Sequence, residues 1–266
     1  MKKIIAIALT LVLALSLVAC GGAADDKTIT VAASPTPHAE ILKVVGEVLE
    51  ADGWTLEVVE YSDYVVPNHV VEDGEMDANY FQHVPYLDTF NAENGTHLVD
   101  VLAIHCEPFG IYPGTKSAIA DLAEGDKIAI PNDGSNRARA LLLLEAQGLI
   151  TLTEGVGMQA TVLDITSNPL NLEIVEMEAA QIANVRDSVA LALINGNYAM
   201  QASLFVGTDA IAAEDAEIAK NYENVLVVKE GNEDSEKIQA LIAAFTSETV
   251  KNYINETYPG SVVPCF

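Results

Sequence analysis

The sequence predicts an α/β protein built as two lobes, and three observations carry that expectation. First, "TITVAAS", "HAEILKVVGEVLEADG" and "TLEVVEY" follow one another as strand, amphipathic helix and strand, the order that produces a parallel sheet. Second, the pattern restarts at Ile119 with "IADLAEGDKIAIPNDGSNRARALLLLEAQGLI", which reads as a helical turn, a strand at Lys127 to Ile130, a polar loop and a long helix ending at Gly148. Third, 266 residues with 50% hydrophobic content are enough for two α/β cores, and no long linker separates the two halves.

Along the chain, Gly53 closes the first helix. A second helix is expected from about Val65 to Asp73, then a short apolar segment around Met76 to Tyr80, a helix from Pro85, and the strands "LVDVLAI" and "FGIYPG". Beyond Gly148 the expected elements are a strand at "LEIVEM", an alanine-rich helix or turn, the short strand "ALALI" and a helix beginning near Asn197. The strand "NVLVVKE" and one C-terminal helix from about Asp234 to Asn255 complete the series. Lobe 1 is expected over 28–113, lobe 2 over 114–205 and a return of lobe 1 over 206–266, with crossings near Pro113 and Phe205.

The N-terminus has the order of a secretory signal: Lys2 and Lys3, an apolar run from Ile4 to Val18, then small residues leading into Cys20. The run is shorter than the roughly 20 residues a membrane-spanning helix needs. Residues 1–19 are therefore read as a signal peptide and 20–27, "CGGAADDK", as a flexible tether too polar to fold. Leu17-Val18-Ala19-Cys20 resembles the lipobox of bacterial lipoproteins, which implies lipidation of Cys20 and a cell-membrane location on the extracytoplasmic face.

A formal charge of −26 should repel phosphate backbones, so nucleic acid is excluded as a partner. Besides Cys20 there are two cysteines, Cys106 and Cys265, too few for a disulfide framework or a Cys-x-x-Cys pair, although one bridge between them is open. No nucleophile elbow, His-Glu-x-x-His, Walker loop or calcium-loop spacing is present. No catalytic residue, cofactor or metal is therefore assigned. A metal held by His83, His105 and Glu107 is the alternative, since residues two apart on a strand share a face.

Two stretches carry ligand chemistry. "DANYFQHVPYLDTF" gathers Tyr80, Phe81, His83 and Tyr86 in a chain that is 6% aromatic. "PNDGSNRARALLLLEAQG" feeds a polar loop into a helix start, where free N–H groups and the dipole favour an anion, with Arg137 and Arg139 nearby.

These segments, together with "SDYVVPN", "EPFGIYPG", "TSNPLNLEIVEMEAAQI" and "ALINGNYA", resemble in order the methionine-binding lipoproteins of the NlpA type, the solute receptors of methionine ABC importers. The resemblance implies a two-lobed type II periplasmic-binding-protein fold that closes over one amino acid in the cleft. It implies a non-enzymatic monomer that captures methionine and delivers it to an ABC transporter permease. Tyr64, Phe81, His83 and Tyr86 would line the first-lobe wall, Arg139 would hold the ligand carboxylate, and Asn136 and Asn195 would offer amides to the head group. Another apolar amino acid, a methionine-containing dipeptide or, in a different class, a surface hydrolase or metalloenzyme are the alternatives. The chain departs from the family in a short segment from Ala179 to Ser188, and Arg137 stands where an apolar residue is common.

Overall fold

The computed structural model describes residues 27–266; the signal segment, Cys20 and the tether through Asp26 lie outside the described residues. Two sheets form the frame. The first holds β1 (Thr28–Ala33), β2 (Thr55–Glu60), β3 (Ala78–His83), β4 (Leu98–Cys106), β12 (Glu223–Lys229) and β13 (Val263–Pro264). Their order across the sheet is β13-β4-β12-β3-β1-β2. The second holds β5 (Gly110–Pro113), β6 (Lys127–Pro131), β9 (Glu173–Met177), β10 (Leu191–Ile194) and β11 (Ala212–Ala213), in the order β11-β5-β10-β6-β9. A small ribbon pairs β7 (Thr151–Leu152) with β8 (Ile165–Ser167).

The β-α-β start is parallel, with Val31 opposite Val58 and also opposite Ala78. Helix Glu40–Ala51 packs on that sheet because Ile41, Leu42, Val45 and Leu49 recur at helical spacing and are all buried. They join Ile29, Val31, Tyr80, Leu226 and Phe245 in the first core. The second core is separate, built from Phe109, Ile111, Ile128, Leu141, Leu144 and Leu193.

The lobe boundaries differ from the expected ones. β5 pairs antiparallel with β10, Ile111 opposite Leu193, so residues 110–113 belong to the second lobe instead of ending the first. β11 pairs with β5, which also keeps residues 212–213 in the second lobe. The crossings therefore fall at Glu107–Phe109 and between β11 and β12. Pro113 marks a strand end rather than a change of lobe. The single C-terminal helix expected over 234–255 is two helices, Glu236–Phe245 and Glu248–Thr257. The break occurs at Ser247, whose side chain caps the second helix by accepting from the Val250 N–H. Among the described residues no helix is long and apolar enough to cross a membrane.

Candidate ligand-binding site

Phe81 is the residue that β3 cannot pair. β12 faces β3 with Val225 opposite Gln82 and Leu226 opposite Tyr80, so Phe81 is an extra residue in a β-bulge. A bulge re-aims its side chain. Tyr80 stays in the core at 0% exposure, while Phe81 turns toward the space between the lobes. There Tyr64, on the loop after β2, lies with its ring centre 5.7 Å from Phe81, 5.6 Å from Tyr86 and 4.9 Å from Tyr198. Three hydroxyls tie this cage together: Tyr64 donates to Asn197 Oδ1 (2.5 Å), Tyr86 to the Tyr64 carbonyl (2.9 Å) and Tyr198 to the Ser62 carbonyl (3.1 Å). Burial pushes all three phenols up, so they act as neutral donors.

His83 ends β3 and caps helix Val84–Asn94. Its Nδ1 accepts from the Tyr86 N–H, which leaves the proton on Nε2 to be donated to Asn136 Oδ1 at 3.0 Å. The same oxygen accepts from Asn195 Nδ2 at 2.8 Å, and Asn136 Nδ2 donates to Asp133. Asn136 thus joins the lobes with every polar atom engaged. The expectation of free N–H groups at the start of helix Gly134–Ala146 is corrected here. Asp133 caps that helix with its own carboxylate, accepting from the Asn136 N–H at 2.9 Å, so an internal anion already occupies the end.

Arg137 and Arg139 separate as residues two apart on a helix must. Arg137 reaches Glu176 at 3.5 Å on the surface side. Arg139 is 3% exposed and lines the cavity. Its Nε donates to Glu214 Oε1 at 2.8 Å and its Nη2 to Glu214 Oε2 at 2.6 Å and to the Glu107 carbonyl at 2.9 Å. The guanidinium also stands 3.9 Å from the ring centre of Tyr222. One edge of the fork is therefore committed to Glu214, and Nη1 is the nitrogen left for a further acceptor.

Sequence reasoning passed over five cavity residues: Gln82, Gly196, Asn197, Asn224 and, in a ligand role, Glu107. Glu107 Oε1 accepts from His105 Nε2 at 2.8 Å and lies 3.7 Å from His38 Nε2. The backbone N–H of Asn197 also reaches its carboxyl. That approach depends on Gly196, where a Cβ would meet Glu107 Oε2 at 2.7 Å. Behind Glu107, the Tyr80 hydroxyl bonds His105 Nδ1, and His38 Nε2 meets Asn224 Oδ1 at 2.9 Å. His38 replaces His83 in the suggested metal trio: His38, His105 and Glu107 have ligating atoms within 4.8 Å, whereas His83 belongs to the Asn136 network. Both nitrogens of His105 and Nε2 of His38 are engaged, which makes this trio a hydrogen-bonded floor for the cavity, while His38 Nδ1 is buried without a partner. The sequence signal for it was the pairing of His105 with Glu107; nothing local pointed to His38 or Asn224.

Burial depresses His38 to about 4 and both His83 and His105 to about 3. Unfolded histidines titrate near 6.5, so the unfolded chain binds more protons at every pH between that value and the folded ones. The stability contributed by these neutral rings is complete above about pH 6.5 and is lost as the pH falls toward about 3–4. Glu107 and Asp133, pushed up by burial, oppose this because folding favours their protonated forms. With three histidines against two carboxyls, the urea midpoint is expected to fall between about pH 7 and about pH 4. A midpoint that stays level or rises over that range would mean that the buried carboxyls outweigh the histidines.

The inner cavity lined by these residues is small, with about 20 Å³ of free space, and is bordered by both lobes. Tyr64 and Tyr86 separate it from a wider mouth lined by Asp63, Glu93, Asp133 and Glu178. Among the described residues, buried polar side-chain atoms without a protein partner include Asn195 Oδ1 and Asn197 Nδ2. One is an acceptor and the other a donor.

Two α/β lobes closed over such a cavity define the solute-binding class of protein. The chain belongs to the NlpA lipoprotein family, whose model matches residues 29–266; the family is one of non-enzymatic substrate-binding lipoproteins. It is 42% identical to the methionine-binding lipoprotein MetQ of Bacillus subtilis, covering 99% of each chain. Among solved structures, a lipoprotein of Ruminococcus gnavus is 59% identical with a TM-score of 0.88, covering 90% of this chain and 99% of that one. A nutrient-binding protein of Burkholderia cenocepacia, solved bound to methionine, is 40% identical with a TM-score of 0.86, covering 90% of this chain and 100% of that one.

Proposed function

We propose that this protein captures methionine from outside the cytoplasmic membrane and delivers it to the permease of an ABC transporter. The observation that carries the reading is one small cavity with a lining of two chemical kinds. Tyr64, Phe81 and Tyr86 offer rings, and Arg139, Asn195 and Asn197 offer charge and unpaired amide atoms. In this reading Arg139 Nη1 and Asn197 Nδ2 donate to the ligand carboxylate, and Asn195 Oδ1 accepts from the ammonium. His83 and Asn136 position the two lobes around the head group. An unbranched thioether suits the cage, because sulfur–aromatic contacts add ~0.3–1.5 kcal/mol each. The B. cenocepacia relative bound to methionine supports the choice of ligand.

Calorimetric titration of refolded, ligand-free protein with a panel of amino acids and methionine dipeptides tests the proposal. Methionine is expected to bind most tightly; preference for a dipeptide would move the site outward toward the acidic mouth, and preference for a branched side chain would defeat the thioether reading. Asn197→Ala should weaken methionine binding by about 1–3 kcal/mol, since it removes a donor and frees the Tyr64 hydroxyl. Unchanged affinity would remove Asn197 from the head-group site.

Lipid anchoring through Cys20 completes the proposal, placing the receptor beside its permease as a monomer. Cys20→Ala is expected to abolish lipid labelling and release the protein from membranes. Variant protein that stays labelled and membrane-bound would overturn the anchor.

A further inference from the structure

Cys106 ends β4, and Cys265 follows β13 directly. The ladder sets Val263 opposite Cys106, and the Cys265 N–H donates to the Ile104 carbonyl at 2.9 Å, so the two cysteines are diagonal neighbours on one face. Their sulfurs lie 2.9 Å apart although 159 positions separate them in sequence. Glu223, the first residue of β12, stands opposite Cys106 on the other side, within 4.8 Å of both sulfurs. This is also where the lobes join: the chain leaves the first sheet immediately after Cys106 and returns to it at Glu223. Cys106 is 4% exposed, whereas Cys265 is half-buried and opens on a surface cavity shared with Pro108, Lys220 and Phe266.

We propose that Cys106 and Cys265 form a redox-active dithiol that closes to a disulfide by exchange with a small-molecule disulfide, fastening the C-terminal strand to the hinge between the lobes. Cys265, the sulfur reachable from the cavity, loses its proton and attacks one sulfur of the donor disulfide, breaking that bond and releasing one donor thiol. The Cys106 thiolate then attacks the Cys265 sulfur of the mixed disulfide and releases the second donor thiol. In sum two cysteine S–H bonds are lost, one S–S bond forms, and the donor is reduced to two thiols that carry off both protons. Access sets this order, since Cys265 opens on the surface cavity. The electrostatics act against it in the resting pair: the shared hydrogen bond lowers Cys106, whereas that bond and burial raise Cys265.

The full-length protein is equilibrated with oxidised glutathione, alkylated and mapped by peptide mass spectrometry, so that Cys20 is distinguished by its own peptide. Neither Cys106 nor Cys265 should alkylate, and their two peptides should be joined by a bond that dithiothreitol reverses. Cys106→Ser should instead retain glutathione on Cys265, because the resolving sulfur is gone. Oxidation should slow amide exchange over residues 263–266 in the wild type alone. Wild-type protein in which both thiols remain alkylatable, or in which glutathione stays on Cys265, overturns the proposal. So does protection of both thiols by added zinc under reducing conditions with no disulfide formed after glutathione, since Cys106, Cys265 and Glu223 would then be a metal site.

Discussion

Arg139→Ala is expected to weaken methionine binding by roughly 30- to 4,000-fold, which corresponds to about 2–5 kcal/mol for removing one partner of a buried charge pair. The structure adds a second cost. Glu214 has only 3% of its side chain exposed and would lose the fork that donates to both its oxygens, so the fold itself should lose about 3–5 kcal/mol. The two effects are separable: Arg139→Ala combined with Glu214→Gln removes the stranded charge and should recover much of the stability without recovering affinity. Lysine is a poor substitute at 139, because a single ammonium cannot satisfy Glu214, the Glu107 carbonyl and a ligand together. Arg137→Ala, which gives up a surface pair with Glu176, should change affinity by less than about threefold. Titration and urea denaturation of each variant read both quantities. Should the double variant regain binding along with stability, Arg139 is a structural residue and the carboxylate is held elsewhere.

Phe81→Ala is expected to cost roughly 2–4 kcal/mol of binding, by the scale of large-to-small apolar truncations. The ring is 3% exposed and shares the cage with Tyr64 and Tyr86, so its loss opens space that neither tyrosine can fill while its hydroxyl is held. Norleucine, which replaces sulfur by a methylene, should bind the wild type more weakly than methionine by on the order of 1 kcal/mol, and that gap should shrink in Phe81→Ala. Equal affinities in the wild type would show that the rings provide apolar surface and no preference for sulfur.

Much of this molecule is legible locally. The alternation in "TITVAAS" and the 3.6-residue spacing of Ile41, Leu42, Val45 and Leu49 are properties of single segments, and the elements they predict are present. The aromatic residues of the first-lobe wall were readable because three of the four candidates come from one strand–helix junction. Where local reading went astray, a longer-range contact had decided the outcome. Pro113 reads as punctuation, but pairing of β5 with β10 assigns it to the second lobe. The loop before helix Gly134–Ala146 reads as an anion site, but Asp133 folds back to fill it.

By itself, then, the sequence determined the α/β class, the acidic composition and the residue types that line the inner cavity. Only the tertiary structure decided how those residues are held. His38 meets Asn224 across 186 positions, Tyr64 meets Asn197 across 133, and Arg139 meets Glu214 across 75. None of these distances has a period. A helix or strand repeats its geometry every few residues and so writes its pattern into neighbouring side chains. A buried polar contact needs only that two groups arrive together away from water, and either of them can come from anywhere in the chain.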